Sequence, residues 1–207
     1  MTTDRKLKII FGLLSLGLLI TLLIKLTIVP GGMILSGLFL GGMLLIAVLI
    51  GCLILTGIFK LIFKKNSFLT LFSITTSIAF LVFHYYLYSP ILKITVPKGY
   101  TGQVNLVLSN TDHNILTLDS NGIGYLTKWT FNKTYIPPIV VETDGRKINN
   151  LCNGFNPSTF WGYSKFCCIA GKTIKSLSFD IKRDSANEQG VFYGKGFSQY
   201  VDTNKVY

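Results

Sequence analysis

The sequence predicts a membrane protein with three transmembrane α-helices followed by a mostly-β sandwich domain. Of its 207 residues 49% are hydrophobic and only 14% are charged, whereas soluble domains carry about 25% charged residues. Long uncharged runs fill residues 1–92, where Asp4 is the only acid, and residues 93–207 hold the other acids. We therefore expect a three-helix transmembrane anchor over 1–92 and a β-sandwich over 93–207. Disorder is excluded because disordered chains are poor in apolar residues.

Three apolar runs have the length that a helix needs to cross a bilayer, which is about 20 residues. They lie near 9–29, 33–59 and 68–90. Pro30-Gly31-Gly32 separates the first two runs and predicts a tight turn between antiparallel helices. The first run is longer than the apolar core of a signal peptide, so we expect it to be retained.

The positions of the basic residues predict the orientation. Cytoplasmic ends of membrane helices are enriched in Lys and Arg, and two short segments carry these residues here: Arg5, Lys6 and Lys8, then Lys60, Lys64 and Lys65. We therefore expect the amino terminus inside and residues 93–207 outside. Lys25 lies near the outer end of its helix, where its stem can extend to the interface.

Small residues in the second run predict close helix packing. Gly37 and Gly41 are four residues apart and so share one face of a helix. This face either packs against another helix of the same chain or forms a homo-oligomer. His84 ends the third run among tyrosines, which is typical of a residue at the membrane interface.

Alternation of apolar and polar residues predicts strands after residue 92. Examples are 103–108 and 177–181, which we interpret as half-buried strands. Turn residues such as Asn121-Gly122 and Thr143-Asp144-Gly145 separate the runs. A short helix is predicted over 156–161, with Asn156 as its N-cap. Short strands at this spacing favour a sandwich.

Two motifs in this region carry a family resemblance. The stretch Ile94-Thr95-Val96-Pro97-Lys98-Gly99-Tyr100-Thr101-Gly102-Gln103-Val104, followed by Asp119-Ser120-Asn121-Gly122-Ile123, resembles an uncharacterised bacterial extracytoplasmic domain family, a domain of unknown function. Members of that family in turn resemble small transthyretin-like or carboxypeptidase-regulatory-like sandwiches. The resemblance implies a place in the bacterial cell envelope, and it brings no catalytic residue with it.

Three cysteines lie in the predicted outer domain, where thiols are oxidised. A disulfide from Cys152 to Cys167 or Cys168 would close a loop of about 15 residues and contribute roughly 3 kcal/mol. The alternatives are buried thiols, or redox or metal chemistry. The redox alternative lacks a C-x-x-C motif.

The remaining polar residues predict turns and no catalytic set. Asp112-His113 has no third orienting group, and His113 is the only histidine of the domain, which excludes a site built on several histidines. Asp119 and Asn121 lack the spacing of a calcium loop. The basic residues are scattered, which argues against a nucleic-acid partner. We therefore expect no metal and no cofactor.

An aromatic group offers the most plausible recognition cluster. It consists of Phe160, Trp161 and Tyr163, for which the sequence favours core packing over recognition. The sequence thus predicts a non-enzymatic envelope protein, anchored in the lipid bilayer, whose outer domain binds a protein or another envelope partner. The alternatives are an immunity-type protein that neutralises a toxin at the membrane, or a thiol-active or redox-active envelope protein.

Overall fold

The computed structural model describes residues 3–29, 36–153, 161–169, 172–182 and 199–206, with the backbone alone at 166–169 and 172. The chain divides into two compact units, Met1–Tyr88 and Ser89–Tyr207.

Within the described residues the first unit contains three helices: α1 (Thr3–Leu26), α2 (Gly37–Ile62) and α3 (Phe68–Tyr86). All three are long and apolar enough to cross a membrane. The prediction of three long apolar helices is therefore confirmed. Ser36 and Ser67 begin α2 and α3, because each side chain accepts a hydrogen bond from an amide of the first turn. The predicted Pro30-Gly31-Gly32 turn lies outside the described residues.

Polar contacts join α1 and α3 along their length. The Ser67 amide donates to Asp4 Oδ1 at 3.3 Å, where both helices begin. Ser15 and Thr76 hydroxyls are 2.9 Å apart, and near the opposite ends Thr21 Oγ1 is 3.0 Å from His84 Nε2. The two helices therefore run in the same direction. In lipid such interhelical hydrogen bonds contribute about 0.6 kcal/mol each.

Lys25 and Gly41 also take part in packing within the first unit. Lys25 Nζ donates to the His84 carbonyl at 3.3 Å, so the lysine meets the carboxyl-terminal end of α3. A Cβ placed on Gly41 would overlap the side chain of Leu26. Gly41 therefore packs against α1. This agrees with the alternative in which the face of Gly37 and Gly41 contacts another helix of the same chain.

The second unit is a mixed β-sheet region, which confirms the predicted fold class. Its elements are β1 (Lys93–Val96), β2 (Gly102–Leu108), β3 (Ile123–Leu126), α4 (Lys128–Lys133), β4 (Ile139–Glu142), β5 (Cys152–Asn153), β6 (Gly162–Ile169) and β7 (Lys172–Ile181), with 3₁₀ turns at Asn149–Leu151 and Thr203–Lys205. β1 and β4 form a parallel two-stranded sheet. The five-stranded sheet has the order β3-β2-β7-β5, and β6 also pairs with β7.

The two sheets share one apolar core. It draws on both layers, with Ile94, Val96 and Val140 from the small sheet and Val104, Leu106 and Phe179 from the large one. A second cluster covers the other face of the large sheet and includes Val107 and Tyr125 with Val201 and Val206 from the end of the chain. The Asp202 amide donates to the Tyr125 hydroxyl at 2.9 Å and helps to hold that segment.

The strand predicted over 103–108 is present as β2, but the prediction that it is half-buried is wrong. Asn105 and Val107 on its second face are as buried as Val104 and Leu106 on the first. The sequence pattern could not show this, because the segment 199–206 that packs on the second face is distant in sequence. The predicted helix over 156–161 falls mostly outside the described residues, and the described helix α4 was not predicted. Thr127 begins α4 by accepting a hydrogen bond from the Thr130 amide.

Candidate functional site

The structure does not support the predicted disulfide. Cys152 has a free thiol and lies opposite Ile181 of β7. Cys167 and Cys168 fall between Phe166, opposite Ile174, and Ile169, opposite Lys172. The stretch of β7 from Ile174 to Ile181 spans roughly 23 Å at about 3.3 Å per residue, whereas a disulfide needs Cα atoms within about 7 Å. The two ends of the loop that the disulfide would close therefore lie too far apart along β7.

The Cys152 thiol lies in an apolar environment that suppresses its reactivity. It is half-buried beside Leu151, and Sγ donates to the Ile148 carbonyl at 3.5 Å. Burial raises the pKa of Cys152 to about 11. The thiol is therefore protonated at neutral pH, and a protonated thiol is a poor nucleophile and a poor metal ligand.

The polar loop residues form turns. His113 is exposed, and its carbonyl accepts a hydrogen bond from Thr111 Oγ1 at 2.9 Å. Asp119 Oδ1 accepts from the amides of Asn121 and Ile123 at 2.9 and 3.0 Å. This carboxylate therefore closes its own turn. Within the described ranges no group of three or more His, Cys, Asp or Glu side chains is placed to hold a metal.

The structure separates the two described members of the predicted aromatic cluster. Trp161 is 5% exposed and belongs to the core. Its Nε1 donates to the Ile136 carbonyl at 3.2 Å, and its ring meets Phe179 edge-on at 5.6 Å. Tyr163 is 58% exposed, with its ring 6.4 Å from that of Phe131. Phe160 lies outside the described residues.

Tyr163 shares one face of the β6–β7 pair with two lysines. Lys165 pairs directly with Lys175, and Tyr163, two residues before Lys165 on β6, pairs with Leu177. Alternate residues of a strand point to the same face, as do directly opposed residues. Tyr163, Lys165 and Lys175 therefore form one surface, which we call the hairpin face. Among the described residues neither lysine forms an ion pair.

Like charges placed directly opposite each other destabilise a sheet. The repulsion between Lys165 and Lys175 is weak in water. No carboxylate in the described part of the chain forms an ion pair that would offset it. The sequence alone could not locate this pair, because the register of β6 on β7 brings together two residues that are ten apart. This surface offers an aromatic ring and positive charge, a combination that can bind an anionic group.

Glu142 is a buried carboxylate that the sequence reasoning missed. It ends β4 and is 1% exposed. Its oxygens accept from the Gly99 amide and from Arg146 Nε, each at 2.8 Å, and Arg146 gains a second contact through Nη2. The hydrogen bond and charge of Glu142 raise the pKa of Arg146. Both oxygens of Glu142 are thus engaged in joining two turns, a structural role.

The sequence gives one signal for the contacts of Glu142: it is an acidic residue at the end of an apolar run, four residues before Arg146. Lys98 and Asp144 lie 3.6 Å apart on the exposed side of the same two turns. Because both residues are substantially exposed, this second ion pair contributes little.

Comparison with known proteins identifies no family. No family model matches the chain, and no curated protein matches it. A crystal structure described as "Putative Lipoprotein from Bacillus anthracis" is similar at 10% identity and a TM-score of 0.30, over 49% of this chain and 76% of that one. Similarity at this level assigns neither a family nor a function.

Proposed function

We propose that this protein is a membrane-anchored, non-enzymatic envelope protein whose residues 93–207 bind an acidic protein partner on the outer side of a bacterial cytoplasmic membrane. The observation that carries the proposal is the opposed pair Lys165 and Lys175 beside exposed Tyr163. An acidic partner would relieve the repulsion between the two lysines, and charge complementarity directs association. A tyrosine can supply the apolar contact area that anchors an interface.

The distribution of positive charge supports the proposed orientation. The contact between Asp4 and the Ser67 amide places the start of α1 beside the start of α3. The two basic segments, around Lys6 and around Lys64, therefore lie at one end of the helices. Positive charge at one end of a helical bundle favours the cytoplasmic side for that end. A chain that crosses three times then has its carboxyl-terminal part outside.

The alternatives differ in how far the geometry supports them. Thiol chemistry is disfavoured at Cys152, because burial raises the pKa of its thiol and keeps it protonated. A toxin-neutralising protein is one form of the present proposal, with the toxin as the acidic partner.

Site-specific photocrosslinking in membranes tests the proposal on the full chain. A photoreactive amino acid at Tyr163 should crosslink one partner in stoichiometric amount, whereas the same group at Lys147, an exposed lysine of another surface, should not. Combining Lys165→Glu with Lys175→Glu should abolish the crosslink, and raising the salt concentration should weaken it.

Two results would contradict the proposal. One is the absence of a stoichiometric crosslink at Tyr163. The other is a crosslink that persists unchanged in the charge-reversed variant while the variant unfolds at the same urea concentration as the parent protein.

A further inference from the structure

The first unit contains an apolar groove between α2 and α3. It encloses about 420 Å³, a volume in the range of small-molecule pockets. Phe59 and Phe63 line it from α2, and Leu71, Ile74 and Ile78 line it from α3. Both helices are long and apolar enough to cross a membrane, so the groove faces hydrocarbon when they do.

The groove offers no free strong hydrogen-bonding group among its lining side chains. Thr75 is its hydroxyl-bearing residue, and Thr75 Oγ1 donates to the Leu71 carbonyl of its own helix at 2.9 Å. An occupant with polar groups inside the groove would have to leave them unpaired, which is costly in an apolar environment. The chemistry of the wall therefore selects a hydrocarbon chain.

One end of the groove lies next to positive charge. Phe63 lines the groove, and Lys64 and Lys65 follow it directly, both exposed. Lys60 is engaged elsewhere, because its Nζ donates to the carbonyls of Lys64 and Asn66 at 2.9 and 2.6 Å. Of the three lysines nearest Phe63 in sequence, Lys64 and Lys65 are thus the two available to an anionic headgroup at this end of the groove.

We propose that this groove and these two lysines form a binding site for an anionic phospholipid of the bilayer. One acyl chain lies in the groove between α2 and α3, and the phosphate lies at Lys64 and Lys65. A second copy of the chain would be a poorer occupant, because parallel copies would bring their own Lys64 and Lys65 to the same depth. Each basic residue near the surface is expected to raise affinity for anionic lipid roughly fivefold.

Native mass spectrometry of the full chain in mild detergent tests this proposal. Phosphatidylglycerol and phosphatidylcholine with identical acyl chains are the two probes. Phosphatidylglycerol should bind at least about tenfold more tightly, since only it carries net charge. Lys64→Gln combined with Lys65→Gln should remove this preference, whereas Lys6→Gln combined with Lys8→Gln, at exposed lysines near the start of α1, should keep it.

The acyl-chain part of the proposal has its own matched variants. Ala79 lines the groove, so Ala79→Phe fills it and should weaken the binding of both lipids. Ala47 is exposed on α2 and is not part of the groove, so Ala47→Phe adds the same bulk and should leave both affinities unchanged. Ala79→Leu, a smaller change, should weaken lipid binding to an intermediate extent. It provides a second measurement if Ala79→Phe does not fold.

Three results would overturn the proposal. The Lys64/Lys65 and Lys6/Lys8 double variants could reduce the preference for phosphatidylglycerol equally, which would indicate unspecific attraction of anionic lipid. The variants Ala79→Leu and Ala47→Phe could bind lipid equally well. A dimer present in the parent protein could be lost on Ala79 substitution with lipid binding unchanged, which would make the groove an interface between copies.

Discussion

Two glycines at positive φ provide a matched test of the turn geometry in the β-sheet region. Gly122 has φ of 72° and Gly145 has φ of 88°, a region that costs other residues roughly 1–2 kcal/mol. A Cβ on Gly145 would meet open space, whereas one on Gly122 would overlap the Tyr100 hydroxyl and lie 2.6 Å from the Gln103 carbonyl oxygen. The two positions therefore share backbone strain and differ in steric contact.

The magnitude follows from the contacts around Gly122. Gly145→Ala should cost the backbone strain alone, about 1–2 kcal/mol. Gly122→Ala should cost the same strain and in addition displace the Tyr100 hydroxyl from its hydrogen bond to the Gln103 carbonyl, which is 2.7 Å long. Leaving that part-buried hydrogen bond unmade adds about 1–3 kcal/mol. We expect Gly122→Ala to lower the free energy of unfolding by about 2 kcal/mol more than Gly145→Ala does.

Urea unfolding of the full chain in detergent micelles measures this difference. Tryptophan fluorescence reports the transition, because the buried Trp161 ring becomes exposed when the core opens, whereas Trp129 is already 50% exposed. Midpoint and slope together give the free energy of unfolding for each variant. Equal losses in the two variants, or an unchanged midpoint for Gly122→Ala, would refute the placement of Tyr100 over the turn.

Three further predictions address the core, the cysteines and the chain end. Trp161→Phe removes the hydrogen bond to the Ile136 carbonyl and should cost about 1–3 kcal/mol, whereas exposed Tyr163→Ala should cost less than about 1 kcal/mol. Pulse proteolysis compares them, and the reverse order would contradict the assignment of Trp161 to the core. Dithiothreitol should leave the urea midpoint of the parent protein unchanged because Cys152 is a free thiol, and a clear drop would indicate a disulfide. Hydrogen bonds from the Asn204 amide and Lys205 lower the pKa of Asp202 below 3.8. The resulting stabilisation is present above about pH 4 and is lost as pH falls through the lowered folded pKa. The amide-exchange protection factors of residues 199–206, which correct for the intrinsic pH dependence of exchange, should therefore fall on acidification, and less so in Asp202→Asn. An identical acid response in both proteins would contradict this.

Features with a local physical cause could be predicted from the sequence. The three apolar helices follow from run length, because a bilayer-spanning helix needs about 20 apolar residues. The alternation of Leu177, Phe179 and Ile181 predicted a strand, and these residues do line the core. The turn at Asp119 was likewise predicted, because its residues act within a few positions of one another.

Features that depend on distant pairing could not be predicted. The disulfide prediction used the expected oxidising location and the loop length. The register on β7 then separated Cys152 from Cys167 and Cys168. The same register creates the Lys165 and Lys175 pair of the hairpin face. Burial of both faces of β2 requires residues 199–206. In each case the decisive contact joins residues whose proximity is fixed only by the tertiary fold.

The central claim of the proposed function is that the β-sheet region lies on the outer side of the membrane and the loop between α2 and α3 on the cytoplasmic side. Single cysteines in a background without Cys52, Cys152, Cys167 and Cys168 test it most directly. Asp144→Cys lies in an exposed turn of the second unit, and Lys64→Cys lies in the exposed loop between α2 and α3. A bulky, membrane-impermeant maleimide is applied to intact spheroplasts and to lysed cells. We predict that Asp144→Cys is labelled in intact spheroplasts and Lys64→Cys only after lysis. Labelling of Lys64→Cys in intact spheroplasts, with Asp144→Cys protected until lysis, would place the β-sheet region in the cytoplasm and contradict the account.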